Sequence, residues 1–175
     1  MHVLSTQNFI ELFKLIFNSP ANAELTANDM KETADQLNIV IDNFFAAGPP
    51  MMDWAFRASP GKWSKKEIVG HLIDSAQVNL QRFVRCTYHE NFKLVYAQVE
   101  WVQAQHYQEA DISELFTLWR LLNLQIFRVL SAYPAERLQV QCDTGRETVS
   151  LHTVEWLAKD YLDHLNHHLN QILTP

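Results

Sequence analysis

The sequence predicts an all-α protein, a four-helix bundle with a short extra N-terminal helix and long connections. Three observations point there. The 175 residues include only 4 Gly and 6 Pro, fewer turn formers than a β-sandwich or doubly wound sheet uses. Apolar residues recur at helical spacing in four long stretches. Hydrophobic residues make up 47% of the chain and charged residues 19%, a composition that buries a core rather than staying disordered. The length fits one domain over residues 1–175, with residues 1–27 as a candidate N-terminal extension.

Asn8 to Phe17 reads as a short apolar helix, closed by Pro20. A second helix runs from about Asn28 to Ala47, with Met30, Ala34, Leu37, Ile41, Phe44 and Phe45 on one stripe. Gly48-Pro49-Pro50 stops it. The third helix has the clearest start. Ser64 and Glu67 form an S-x-x-E capping box, and Trp63 takes the staple position before it. Ile68, Leu72, Ala76, Leu80 and Phe83 carry the stripe to an end near Arg85 or Cys86.

An aromatic-rich connection follows from about Thr87 to Ala110, holding Tyr88, Phe92, Tyr96, Trp101 and Tyr107. A connection that long is functional or contains its own short helix. Asp111 or Ser113 begins the fourth helix, which reaches Ala132 before Pro134. Arg137 to Val149 alternates around Asp143-Thr144-Gly145, as in a small hairpin or an irregular crossover. Ser150 is the expected cap of a last helix running to about Leu173.

The formal net charge is −6 and no basic run occurs, which argues against nucleic acid as a partner. No stretch reaches the roughly 18 apolar residues of a membrane span. The N-terminus has no basic region followed by an apolar run, so the expected location is the cytoplasm. Cys86 and Cys142 are far apart in sequence and form no CxxC; they read as two buried, idle thiols.

The eight histidines carry the chemistry. His2, His89, His106 and His152 are isolated, whereas His164, His167 and His168 cluster on the last helix. At about 100° per residue, with His164 at zero, the apolar residues from Leu151 to Ile172 centre near ~95°. His168 then falls at about 40°, inside the apolar sector, His164 at its border, and His167 at about 300°, outside it. His164 and His168, one turn apart, can place two imidazoles on one ion. Equally, they can be two half-buried histidines bonded to carboxylates.

A third ligand must come from another element, and His71, beside the stripe of the third helix, is the best candidate. Three imidazoles leave a coordination position for water or substrate, an arrangement of catalytic more than structural sites. Zn, Ni or Fe as the divalent ion would suit them.

Asp74, Asp160 and Asp163 lie near these histidines in sequence and could orient an imidazole or accept a proton. Asp74 falls far from the apolar centre and reads as a solvated surface residue rather than a ligand. Gln171, three residues past His168, points toward the site or caps its rim. Arg82, about three turns beyond His71, could bind a substrate anion; pairing with a structural Asp or Glu is the reading the sequence favours. Trp63 and Trp101 read as packing anchors. The catalytic group itself is not assigned; Asp74, Gln171 and Arg82 are candidate helpers.

Two runs carry a resemblance. PGKWSKKEIVGHLIDSAQVNLQRF (Pro60 to Phe83) resembles the W-S-x-x-E-x-x-x-H-L-x-D helix start of the DinB/YfiT-like superfamily. DYLDHLNHHLNQI (Asp160 to Ile172) resembles its H-x-x-x-H-x-x-Q-I ending. The likeness extends from about Leu37 onward. It implies a four-helix bundle of DinB/YfiT type, with a metal held by His71, His164 and His168 and His167 left out. It also implies a homodimer. Members include metal-dependent hydrolases and transferases or isomerases that use low-molecular-weight thiols.

The expected function is therefore a metal-dependent hydrolase or thiol S-transferase, acting on a small-molecule substrate through a water or thiolate on the three-His ion. The alternative is a non-catalytic metal-binding stress-response or structural module.

Overall fold

The computed structural model describes residues 27–46 and 53–173. The expected helix at Asn8–Phe17 and the Gly48-Pro49-Pro50 stop lie outside them. Four long helices form the frame: α1 (Ala27–Ala46), α2 (Lys65–Cys86), α4 (Ile112–Ser131) and α5 (Val154–Leu173). The short α3 (Gln98–Ala104) and a 3-10 turn (Tyr107–Glu109) lie within the long aromatic connection. A second 3-10 turn (Ala135–Arg137) follows α4.

Local chemistry fixes the helix ends. The Ser64 side chain accepts from the Glu67 backbone N–H, and the Glu67 carboxylate accepts from the Ser64 N–H, closing the capping box. Asp111 rather than Ser113 caps α4, accepting from Ser113 N at 2.8 Å and Glu114 N at 3.2 Å. Arg137 closes the far end of α2, donating to Cys86 O and His89 O at 2.9 Å each.

The expected cap of α5 is corrected. Ser150 does not begin that helix: Leu151–Thr153 is a strand, and Thr153 Oγ1 accepts from Trp156 N at the true start. Ser150 is instead held by Asp143, whose carboxylate takes both the Ser150 and Gly145 N–H groups. The alternating stretch after Arg137 does pair, as β2 (Gln141–Asp143) antiparallel to β3 (Leu151–Thr153). A third strand, β1 (Phe92–Lys93), comes from the aromatic connection and adds parallel to β2. The bundle therefore carries a small three-stranded sheet, ordered β1-β2-β3, at one end.

Helix α2 is the hub, packed against α3, α4 and α5, while α1 covers α4 and α5. From Val69 to Ala76 every residue of α2 is buried, so this stretch has no solvent face. In the core Phe116 stacks on Phe44 and Trp119 meets it edge-on, with ring centroids 4.9 and 5.1 Å apart. Phe45, expected on the same stripe, is exposed and lies under the Arg120 guanidinium. One buried polar pair joins two of the long helices: Tyr161 Oη donates to Asn123 Oδ1 at 2.6 Å. Cys86 and Cys142 are free and buried, as expected, and Cys142 Sγ donates to Phe92 O at 2.9 Å.

Gly70 has a packing reason. A Cβ there would overlap the Tyr107 ring, which lies flat on α2 at this point. The hydroxyl of Tyr107 then reaches Asp74, one turn further along. Replacing Gly70 by Ala should favour the helix by up to about 1 kcal/mol, yet destabilise the protein by roughly 1–3 kcal/mol through the displaced ring. In a Tyr107→Ala background the same change should become stabilising. Urea unfolding of the four variants reads both signs.

Candidate metal centre

Three imidazoles meet where α2 and α5 face each other. His71 is fully buried in the middle of α2. His164 and His168 follow one turn apart on α5 and are half-buried. One nitrogen from each ring lies within 4.8 Å of the other two, and this is the metal-capable cluster found among the described residues. The closest pair, His71 Nε2 and His164 Nε2, are 3.0 Å apart and join positions 93 residues apart in the chain.

Two of the three outward nitrogens are held as metal-bound histidines require. His71 Nδ1 is 2.8 Å from Tyr96 Oη, so an Nδ1–H donated there leaves the Nε2 lone pair facing His164 and His168. His168 Nδ1 donates to Gln171 Oε1 at 2.8 Å. The same Gln171 turns its amide nitrogen to His167 Nε2, also at 2.8 Å. His164 Nδ1 is buried without a hydrogen-bond partner among the described groups, and its ring is fixed by packing on His71 and His168. Trp63 closes one side, its ring 4.8 Å from that of His71.

Electrostatics favour neutral, ligating rings. Burial pushes His71 down to about 3, helped by the neighbouring His164 and His168. Burial likewise lowers His164 to about 4, followed by the effects of His168 and His167. His168 is lowered by burial, partly offset by its bond to Gln171. At neutral pH all three rings present lone pairs, and the donor set fits a divalent transition metal.

The expected helpers divide. Gln171 does reach the cluster, through His168, and His167 stands exposed beside it. Asp74 is corrected: it is wholly buried rather than solvated. It accepts from Gln105 Nε2 and Tyr107 Oη and is no part of the cluster. Burial raises its carboxyl to about 6, against the pull of those two bonds. The wheel misplaced it because α3 and the 3-10 turn cover the face of α2 that points away from the bundle core.

Arg82 is also corrected, because it meets no carboxylate among the described residues. It donates to Leu94 O at 2.8 Å and to Asn79 Oδ1 at 3.3 Å, pinning the connection to α2. Asp160 and Asp163 are exposed on α5. Tyr96 was missed as an orienting residue. The one available signal was its place in an unusually long aromatic connection.

A cleft of about 840 Å³ opens beside the cluster, with His168 and Gln171 among its lining residues. Phe56, Arg57, Lys62, Trp63, Lys65 and Val99 also line it. Trp63 is thus more than a packing anchor: it separates the buried His71 from the cleft.

Two outcomes follow from this geometry. Tyr96→Phe removes the acceptor for His71 Nδ1–H and should weaken metal binding by about 10–100-fold, read by competition with a chromogenic chelator. In the metal-free protein, acid should destabilise the fold. Each cluster histidine holds its proton less tightly than the 6.5 of an unshifted imidazole. Below about 6.5 the unfolded chain therefore binds more protons, and stability falls with pH down to the depressed values. Asp74 opposes this, since its raised carboxyl favours the fold as pH drops from about 6 towards 3.8. Three histidines outweigh one carboxyl, so Tm should fall between pH 6.5 and pH 4. A flat or rising Tm would contradict the sign.

Comparison with known proteins agrees with this architecture. Among curated proteins no match was found. YfiT from Bacillus subtilis, described as a probable metal-dependent hydrolase with an unusual four-helix bundle topology, is similar in structure. The TM-score is 0.70 at 17% identity, over 88% of this chain and 90% of that one. That likeness bears on the fold. The sequence model of the DinB superfamily matches residues 29–172, and the chain belongs to that superfamily.

Proposed function

We propose that this protein is a metal-dependent hydrolase or thiol S-transferase, with His71, His164 and His168 holding a divalent Zn, Ni or Fe ion. One observation carries the reading: three neutral imidazoles converge at the edge of a cleft large enough for a small molecule. Such an ion supplies Lewis acidity that makes water or a thiol nucleophilic at neutral pH. The chain's own residues do the rest. Tyr96 and Gln171 set the tautomers and orientations of His71 and His168. Trp63, packed against the His71 ring on the cleft side, keeps water from that ring. His168, which lines the cleft, is the ligand nearest an incoming substrate.

The similarity to YfiT, itself described as a probable hydrolase, supports the hydrolytic branch. The cleft also favours an enzyme over a metal staple, because a structural site is closed by its protein ligands.

The test is a panel of esters, amides and electrophile–thiol pairs, assayed with stripped and metal-loaded protein. Turnover should appear with metal and fall to background in His71→Ala and His168→Ala. A folded, stoichiometrically loaded protein that turns over nothing on the panel would count for the structural module.

A further inference from the structure

The cleft has a chemical character that the histidines do not explain. Among the described residues its lining carries three cationic side chains, Arg57, Lys62 and Lys65, against one carboxylate, Glu67. This occurs in a chain whose net charge is −6. The carboxylate is already engaged. Glu67 Oε2 is 2.7 Å from Arg57 Nη1 and accepts from Ser64 N, and Oε1 accepts from Arg57 Nη2. Arg57 Nη1 also donates to Lys62 O at 2.8 Å, and an isolated β-bridge joins Arg57 to Ser64. The segment from Arg57 to Ser64 is therefore a closed strap that holds Lys62 at the rim. Lys65 lies 5.8 Å over the Phe56 ring, also in the lining.

The cleft also has apolar walls. Trp63, Ile68 and Val102 contribute, and so do Phe56 and Val99, each 46% exposed. Two large apolar side chains left open to water in one concave site mark a surface that gains by being covered. The polar inner end is His168 and Gln171. The volume, about 840 Å³, lies within the range of small-ligand sites.

We infer that this cleft binds an organic anion with an apolar body, its charged end at Lys62 and Lys65 and its chain along Phe56, Trp63 and Val99. That its other end reacts at the histidines rests on the metal-dependent chemistry proposed above; that the cleft selects an amphiphilic anion does not. Positive rim charge attracts the anion and falls off with salt, while the apolar walls reward chain length.

The experiment uses the full-length, metal-free protein and follows tryptophan fluorescence on titration with octanoate, butyrate, octyl phosphate and neutral octanamide. Octanoate should bind about tenfold tighter than octanamide and tighter than butyrate, and its affinity should drop as salt rises. Lys62→Gln should weaken octanoate by about 2–5-fold, leaving octanamide and Tm unchanged, and Lys65→Gln should weaken octanoate likewise. Octyl phosphate binding tighter than octanoate would identify the anion as a phosphate ester within the same proposal.

Equal affinity for octanoate and octanamide would overturn it. So would indifference to both lysine changes, or no saturable binding of any probe at millimolar concentration. Anion binding without metal-dependent turnover on the panel would leave this inference standing and remove the catalytic one. Turnover without anion selectivity would do the reverse.

Discussion

Two imidazole nitrogens 3.0 Å apart inside a helical bundle impose a condition on everything around them. If both carry lone pairs they repel; if both carry protons they clash. Either one proton or one cation must lie between them. Burial and mutual repulsion disfavour a charged ring, and the outward nitrogen of His71 is already matched to Tyr96. A third imidazole converging on the same point makes a shared cation the better solution. The surrounding groups follow from this condition. The rings need fixed tautomers, so Tyr96 and Gln171 stand behind them, and they need shelter, so Trp63 and the aromatic connection close over α2.

The connection is held by contacts whose individual strengths are modest. Arg82 fastens Leu94, the Tyr107 ring rests on the bare backbone at Gly70, and the Tyr107 hydroxyl and Gln105 amide share the Asp74 carboxylate. A buried carboxyl with two donors has a use as an anchor without taking part in chemistry. Each contact touches a different turn of α2, so the connection is tied along the helix that bears His71. A residue such as Tyr96 can then be placed accurately although it lies outside regular secondary structure.

Much of this was legible along the chain, and the failures share a cause. The capping box at Ser64, the extents of α1 and α4, and the preference for His164 and His168 over His167 follow from local periodicity. Local periodicity assumes that a helix has one buried face. Helix α2 violates the assumption between Val69 and Ala76, which explains the misreading of Asp74. Arg82 was misjudged for a similar reason, because its partner is a backbone carbonyl in a segment with no sequence signature. Ser150 looked like a cap, but Asp143 captured its N–H and drew the following residues into a strand. Strand β1 is two residues long and has no pattern of its own; its partner creates it. The cationic rim of the cleft was invisible because Arg57, Lys62 and Lys65 become a patch only when the strap closes.

The contact between His71 and His164 spans 93 residues. In chain-entropy terms that is one of the most expensive kinds of closure, since nothing local brings the two ends together. The helices can form early and independently, but the site exists only once α2 and α5 have docked along their length. An ion gripped at this seam would therefore act as a clasp on a long loop of the molecule. Its release would be felt as loosening of the whole bundle, and partial unfolding of any helix would cost the site its geometry before the helix itself had gone.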